Sequence, residues 1–118
     1  MIIYHITSNS DWARAKKIGE YRAPSLDTEG FIHASTLEQV VETANLYYQG
    51  VQDLVLLKID TDQSKPEVRF DPVYRHGQED TFPHIYGPLN LNAVVEVIDF
   101  PTGLDGKFTL PDALTRRF

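Results

Sequence analysis

The chain contains no cysteine. Disulfides, thiol nucleophiles and thiolate metal ligands are therefore excluded. Positive charge is also scarce. Eleven Lys and Arg stand against 17 Asp and Glu, a formal net charge of -6 with a pI near 5.0. Such a balance argues against nucleic acid or an anionic membrane held by bulk charge. No stretch approaches the ~20 apolar residues of a membrane span. The opening residues, Met1 to His5, lack a basic segment followed by a long apolar run, so a cytoplasmic protein is expected. There is no Gly-rich dinucleotide fingerprint, no P-loop and no Gly-x-Ser-x-Gly elbow.

What is present suits one folded domain over residues 1–118, with 42% hydrophobic and 24% charged residues. Ile2, Ile3 and Ile6 outline a first strand. Ser8 to Asp11 is a dense cap signal for a helix over Asp11 to Ile18, with Trp12, Ala15 and Ile18 on one face and Gly19 as its stop. Tyr21 to Ala23 reads as extended and Pro24 to Gly30 as a loop. Gly30 to Ser35 is a short strand running into a helix from Thr36 to about Tyr48. Ser35 and Glu38 have the spacing of a capping box there.

The near-continuous apolar run in Asp53 to Asp60 predicts a strand covered on both faces. Glu67 to Asp71 alternates as a strand, and Pro72 to Thr81 reads as a polar surface loop. Phe82 to Leu89 holds two prolines and a glycine, which predicts a shaped apolar loop. Asn92 to Phe100 is a further strand, and Lys107 to Leu110 a candidate last one. Strands outnumber helices, and the helices fall in the first half. The expected fold is α+β, two helices packed on a largely antiparallel or mixed sheet.

Three of the four histidines, His5, His33 and His84, have apolar neighbours on both sides. Each could be a core histidine with satisfied hydrogen bonds. Three desolvated imidazoles in one small core are costly, however, unless they share a polar cleft. A three-histidine metal site is disfavoured, since no pair has the local spacing that puts two ligands on one element. No metal is expected. His76 sits in the polar stretch and reads as solvated. The alternative is an anion-binding cleft. The helix start at Ser35 and Thr36 offers free N–H groups, Arg69 adds a donor, and Tyr86 or Phe82 could stack on a ring. Such a cleft would take a small anionic or nucleotide-like molecule.

Tyr4-His5-Ile6-Thr7, Glu29 to Ser35 and Phe82 to Leu89, in this order, resemble the motifs of the bacterial domain-of-unknown-function family 952. The likeness runs from Ile3 to about Val97. That family is grouped by remote similarity with the ADP-ribosyltransferase-like fold, which includes the RNA 2′-phosphotransferases. The resemblance implies that fold, with NAD as a candidate cofactor. It implies that His5 contacts the adenosine ribose, that His33 with Ser35 flanks the nicotinamide, and that a late Glu completes the set. No Glu matches that last place, which leaves it to His84 or Tyr86. Two functions follow as expectations. One is an enzyme acting on NAD or on an ADP-ribosylated or phosphorylated small molecule, with His5, His33 and His84 catalytic and Ser35, Thr36, Arg69 and Tyr86 binding the cofactor. The other is a non-enzymatic module for a nucleotide-like or other anionic ligand.

Overall fold

A computed structural model describes residues 1–75 and 77–115. It is α+β with antiparallel sheets. β1 (Ile2–Ser8), β4 (Leu54–Asp60) and β8 (Val94–Asp99) form one sheet in the order β1-β4-β8. The apolar run therefore becomes the central strand. Leu54, Val55, Leu56 and Leu57 are all buried, because successive side chains go to opposite faces and both faces are covered. On one side Ile3, Val55, Leu57 and Ile59 pack with Ala15 of α1 (Asn9–Ile18). On the other, Tyr4, Ile6, Leu54 and Leu56 pack with Val40 and Ala44 of α3 (Leu37–Tyr47).

β3 (Ile32–His33), β6 (Gln78–Tyr86) and β5 (Glu67–Arg75) form a second sheet in the order β3-β6-β5. β2 (Glu20–Tyr21) pairs with β7 (Leu89–Asn90). The two larger sheets meet at one bridge, where Tyr4 and Ser35 exchange both backbone hydrogen bonds at 2.8 Å.

Several local expectations change. The polar stretch from Pro72 to Thr81 is a β-hairpin, with Gly77 at φ +73° in its turn. Its strands stand exposed, so no apolar alternation was needed to build them. Phe82 to Tyr86 is strand rather than shaped loop. Pro83 is tolerated because its carbonyl, accepting from the Ala34 N–H at 3.0 Å, faces the point where β3 ends. Both backbone bonds of Ser35 go to Tyr4, so α3 starts one residue later. Thr36 is its N-cap, its N–H donating to Gln39 Oε1 at 3.0 Å. Glu38 has no part in that cap.

The loop from Pro24 to Gly30 contains a short helix, α2 (Ser25–Thr28). Lys107 to Leu110 forms no strand. Instead the Asn45 side chain satisfies both backbone groups of Phe108, at 2.8 and 3.1 Å. A last short helix, α4, covers Asp112–Thr115. His76 and the tail beyond residue 115 lie outside the described residues.

Candidate functional site

Register decides what faces what. His33 on β3 pairs directly with His84 on β6, and Arg69 on β5 lies opposite His84 on its other side. Because side chains alternate, Arg69, Asp71, Val73 and Arg75 share one face of the second sheet with Phe82, His84 and Tyr86. The opposite face carries Val68, Ile85 and Ile32 into the core. The first face meets β1 and α3 around a cavity of about 520 Å³. His5, His33 and His84 all line it, together with Ser35, Thr43 and Arg75. Most of the remaining wall is aromatic or aliphatic, including Tyr4, Ile6, Tyr47, Tyr48, Val73 and Phe82. A largely apolar hollow of this size with a few converging polar groups is the usual form of a small-molecule site.

His5 is fully engaged by the protein. Its Nδ1–H donates to the His33 carbonyl, which can only accept. Burial pushes its pKa down to about 4, so the ring is neutral and Nε2 is an acceptor. The Tyr21 hydroxyl sits 2.7 Å from that nitrogen and 3.0 Å from Thr7 Oγ1. Burial raises the Tyr21 hydroxyl to about 12, which keeps its proton in place. His5 thus offers a ligand the surface of its ring and neither of its nitrogens. Its visible work is to fix the His33 backbone at the cavity edge.

His84 is arranged differently. Nδ1 lies 2.8 Å from Asp71 Oδ2, and an ionised carboxylate can only accept, so Nδ1 carries a proton. Tyr86 donates its hydroxyl to the same oxygen. These two bonds, Tyr86 first, hold the Asp71 carboxyl below the usual carboxylate range. Phe31 stacks on the imidazole at 4.0 Å and 13° between planes, which fixes the ring plane. The remaining nitrogen, Nε2, is buried with no hydrogen-bond partner. His84 lines the cavity, and Nε2 is its one ring nitrogen without a partner. A buried polar atom left unpaired costs about 1–3 kcal/mol, so its presence calls for a reason.

Ser35 Oγ donates to Thr43 Oγ1 at 3.3 Å, and Arg75 Nη1 donates to the same oxygen at 3.4 Å. The other expected residues fall elsewhere. Thr36 caps α3 and does not line the cavity. Arg69 pairs with Glu67 at 2.9 Å and lies 4.7 Å over the Tyr86 ring. Tyr86 is committed to Asp71, and neither it nor Arg69 lines the cavity. His33 does line it but is exposed, with Nε2 2.8 Å from Glu29.

Asp71, Thr43 and Arg75 are additions that sequence reasoning missed. Both Asp71 and Arg75 belong to β5, Asp71 at the end of the strand expected from the sequence and Arg75 in the stretch expected to be loop. The alternation of Arg69, Asp71, Val73 and Arg75 was the available signal. No group of three His, Asp or Glu among the described residues is placed to hold a metal ion. All three cavity histidines have at least one nitrogen already committed within the protein. No described helix is long and apolar enough to cross a membrane.

The family model described as Protein of unknown function (DUF952) matches residues 6–97. No curated protein matches the chain significantly. Among solved structures, the chain is similar to the X-ray structure of protein CC0527 from Caulobacter crescentus, a structural genomics target. The two are 32% identical, with 98% of this chain and 100% of that one covered and a TM-score of 0.85. The solution NMR structure of CC0527 matches with a TM-score of 0.72 at 32% identity, over 95% of each chain.

Proposed function

Because the chain belongs to the DUF952 family, which is described by no activity, we propose its function from the cavity: it binds a small anionic or nucleotide-like molecule, and His84, oriented by Asp71, exchanges a proton with it. The observation that carries this reading is the buried, unpartnered Nε2 of His84. A general acid or base needs one nitrogen fixed and the other offered to the reacting atom. Asp71 supplies the fixing, and it stays ionised as an orienting group should.

The wider likeness to ADP-ribosyltransferases would make that molecule NAD or an ADP-ribosylated or phosphorylated compound. Two features weigh against glycosyl transfer from NAD. His5, the ribose contact in that scheme, has both nitrogens engaged. No Asp or Glu is among the cavity-lining residues described, and Asp80 is instead bonded to Gln39 and to the Thr81 N–H. Acid–base chemistry at His84, or binding alone, fits the lining better.

The test is a thermal-shift screen of NAD, nucleotides and small organic anions at several values between about pH 5 and about pH 9. Wild type is compared with His84→Phe, which keeps a ring against Phe31 and removes both nitrogens. At least one compound should stabilise the wild type with a pH dependence that the variant lacks. No stabilisation by any compound, or the same pH dependence in the variant, contradicts the reading. Free nicotinamide released on incubation with NAD would restore the glycosyl-transfer alternative.

A further inference from the structure

We infer that Arg75 forms an oxyanion subsite, and that the ligand is therefore a carboxylate or phosphate ester carried on an apolar body. This deepens the reading of the cavity given above and rests on it.

Arg75 stands apart from the other arginines described. Arg14, Arg22 and Arg69 each lie within 4 Å of a carboxylate, at 3.9, 3.4 and 2.9 Å. Arg75 has no such partner among the described residues, although the chain carries 17 acidic residues. Its guanidinium is held in place all the same. It lies 4.1 Å over the Phe82 ring and 5.2 Å from the Tyr47 ring, two cation–π contacts that position the head without neutralising it. Nη1 reaches Thr43, and Nε is buried with no partner. A fixed guanidinium with an unmet N–H, in a hollow lined by no described acid, is what a planar oxyanion is bound by.

Thr43 adds a donor. Its oxygen already accepts from Ser35 and from Arg75, so its own hydroxyl proton remains to be given. The rest of the ligand is set by the wall. Ile6, Val73, Tyr4 and Tyr48 offer apolar and aromatic surface and no further charge. A free inorganic ion would leave that surface unused. An oxyanion attached to an aromatic or aliphatic body would cover it, with His84 Nε2 available to a second polar atom.

The experiment titrates the full chain with phenyl phosphate, phenylacetate and the neutral benzyl alcohol, followed by backbone amide NMR and calorimetry. The inference predicts that the two anions bind in the cavity and shift Thr43, Phe82 and His84. Benzyl alcohol should bind at least about tenfold more weakly, the scale of one charge-assisted contact. Arg75→Gln should weaken the anions by about tenfold or more and leave benzyl alcohol unchanged. Arg75→Lys keeps the charge without the fork and should fall between. His84→Phe should alter the pH dependence of anion binding, whereas Arg75→Gln should lower anion affinity at every pH and spare benzyl alcohol, so a failure of the His84 reading and a failure of this one are told apart. Should Arg75→Gln not fold, the Lys variant and the salt dependence of wild-type binding decide, since screening weakens an ionic contact only. Benzyl alcohol binding as tightly as the anions, neither anion binding at all, or equal affinities in wild type and the Arg75 variants would each overturn the inference.

Discussion

Asp71 holds His84 by Nδ1 at 2.8 Å, and so determines which nitrogen is left for the cavity. The two residues sit on adjacent strands, β5 and β6, two residues off direct opposition, since His84 pairs with Arg69 and Asp71 pairs with Phe82. A diagonal cross-strand pair of this kind is within reach of longer side chains. The arrangement is rigid because both residues have second partners, Tyr86 on Asp71 and Phe31 on His84.

Replacing Asp71 by Asn should therefore disturb chemistry more than folding. The neutral amide neither holds the Nδ1 proton as firmly nor stabilises a charged ring. Any proton-transfer activity should fall about 10²- to 10⁴-fold, with ligand affinity little changed. Once a substrate is found, kcat and KM measured separately would check this. A loss confined to KM would argue that Asp71 only shapes the binding surface.

The same carboxylate predicts an effect on stability in acid. Its folded pKa is depressed, so its contribution is present above the ordinary value of 3.8 and is lost as pH falls through the folded one. Urea unfolding of Asp71→Asn should show a shallower acid limb below about pH 4 than wild type. Parallel limbs would mean that the Tyr86 and His84 bonds add nothing in solution.

His5 gives a pH dependence in a higher window. Its pKa is about 4 folded against 6.5 for an unperturbed imidazole. Above about pH 6.5 the ring is neutral in both states and its full contribution is present. As pH falls toward about 4 the unfolded chain takes up a proton that the folded one refuses, so stability drops. The loss should reach roughly 3 kcal/mol, the size of a shift of about two and a half pK units. His5→Gln should start less stable at neutral pH and lose about one proton's worth of slope between those limits. An unchanged slope would place a charged His5 in the folded core.

Leu56→Ala should cost ~2–5 kcal/mol, because Leu56 is wholly buried in the central strand of its sheet. Hydrogen exchange should find β4 among the best protected segments. Fast exchange there would contradict the strand order.

How far the sequence could be read follows from which signals burial imposes. β4 was legible because a strand covered on both faces must be apolar throughout. The burial of His5 and His84 was legible for a similar reason, since apolar neighbours marked their strands as interior, whereas His33, with the same kind of neighbours, is exposed at the cavity edge. Their separate tasks were not. Whether an imidazole nitrogen is engaged depends on Tyr21, Asp71 and a backbone carbonyl at positions 16, 13 and 28 residues away. Arg75 stayed hidden because the outer hairpin is solvated and needs no hydrophobic alternation, and Asp71, inside the expected strand, carries no sign of its partner 13 residues away. Pro83 concealed the central strand of the second sheet, since a proline there is admissible only where the neighbouring strand happens to end.

The most direct test is a two-bond proton–nitrogen correlation spectrum of the protein labelled with ¹⁵N-histidine, recorded with and without phenyl phosphate. It should show His84 protonated on Nδ1, with an Nε2 signal that moves when the cavity is occupied, while His5 remains neutral and protonated on Nδ1 down to about pH 5. A His84 protonated on Nε2 alone, or an Nε2 signal indifferent to a saturating cavity ligand, would contradict the account.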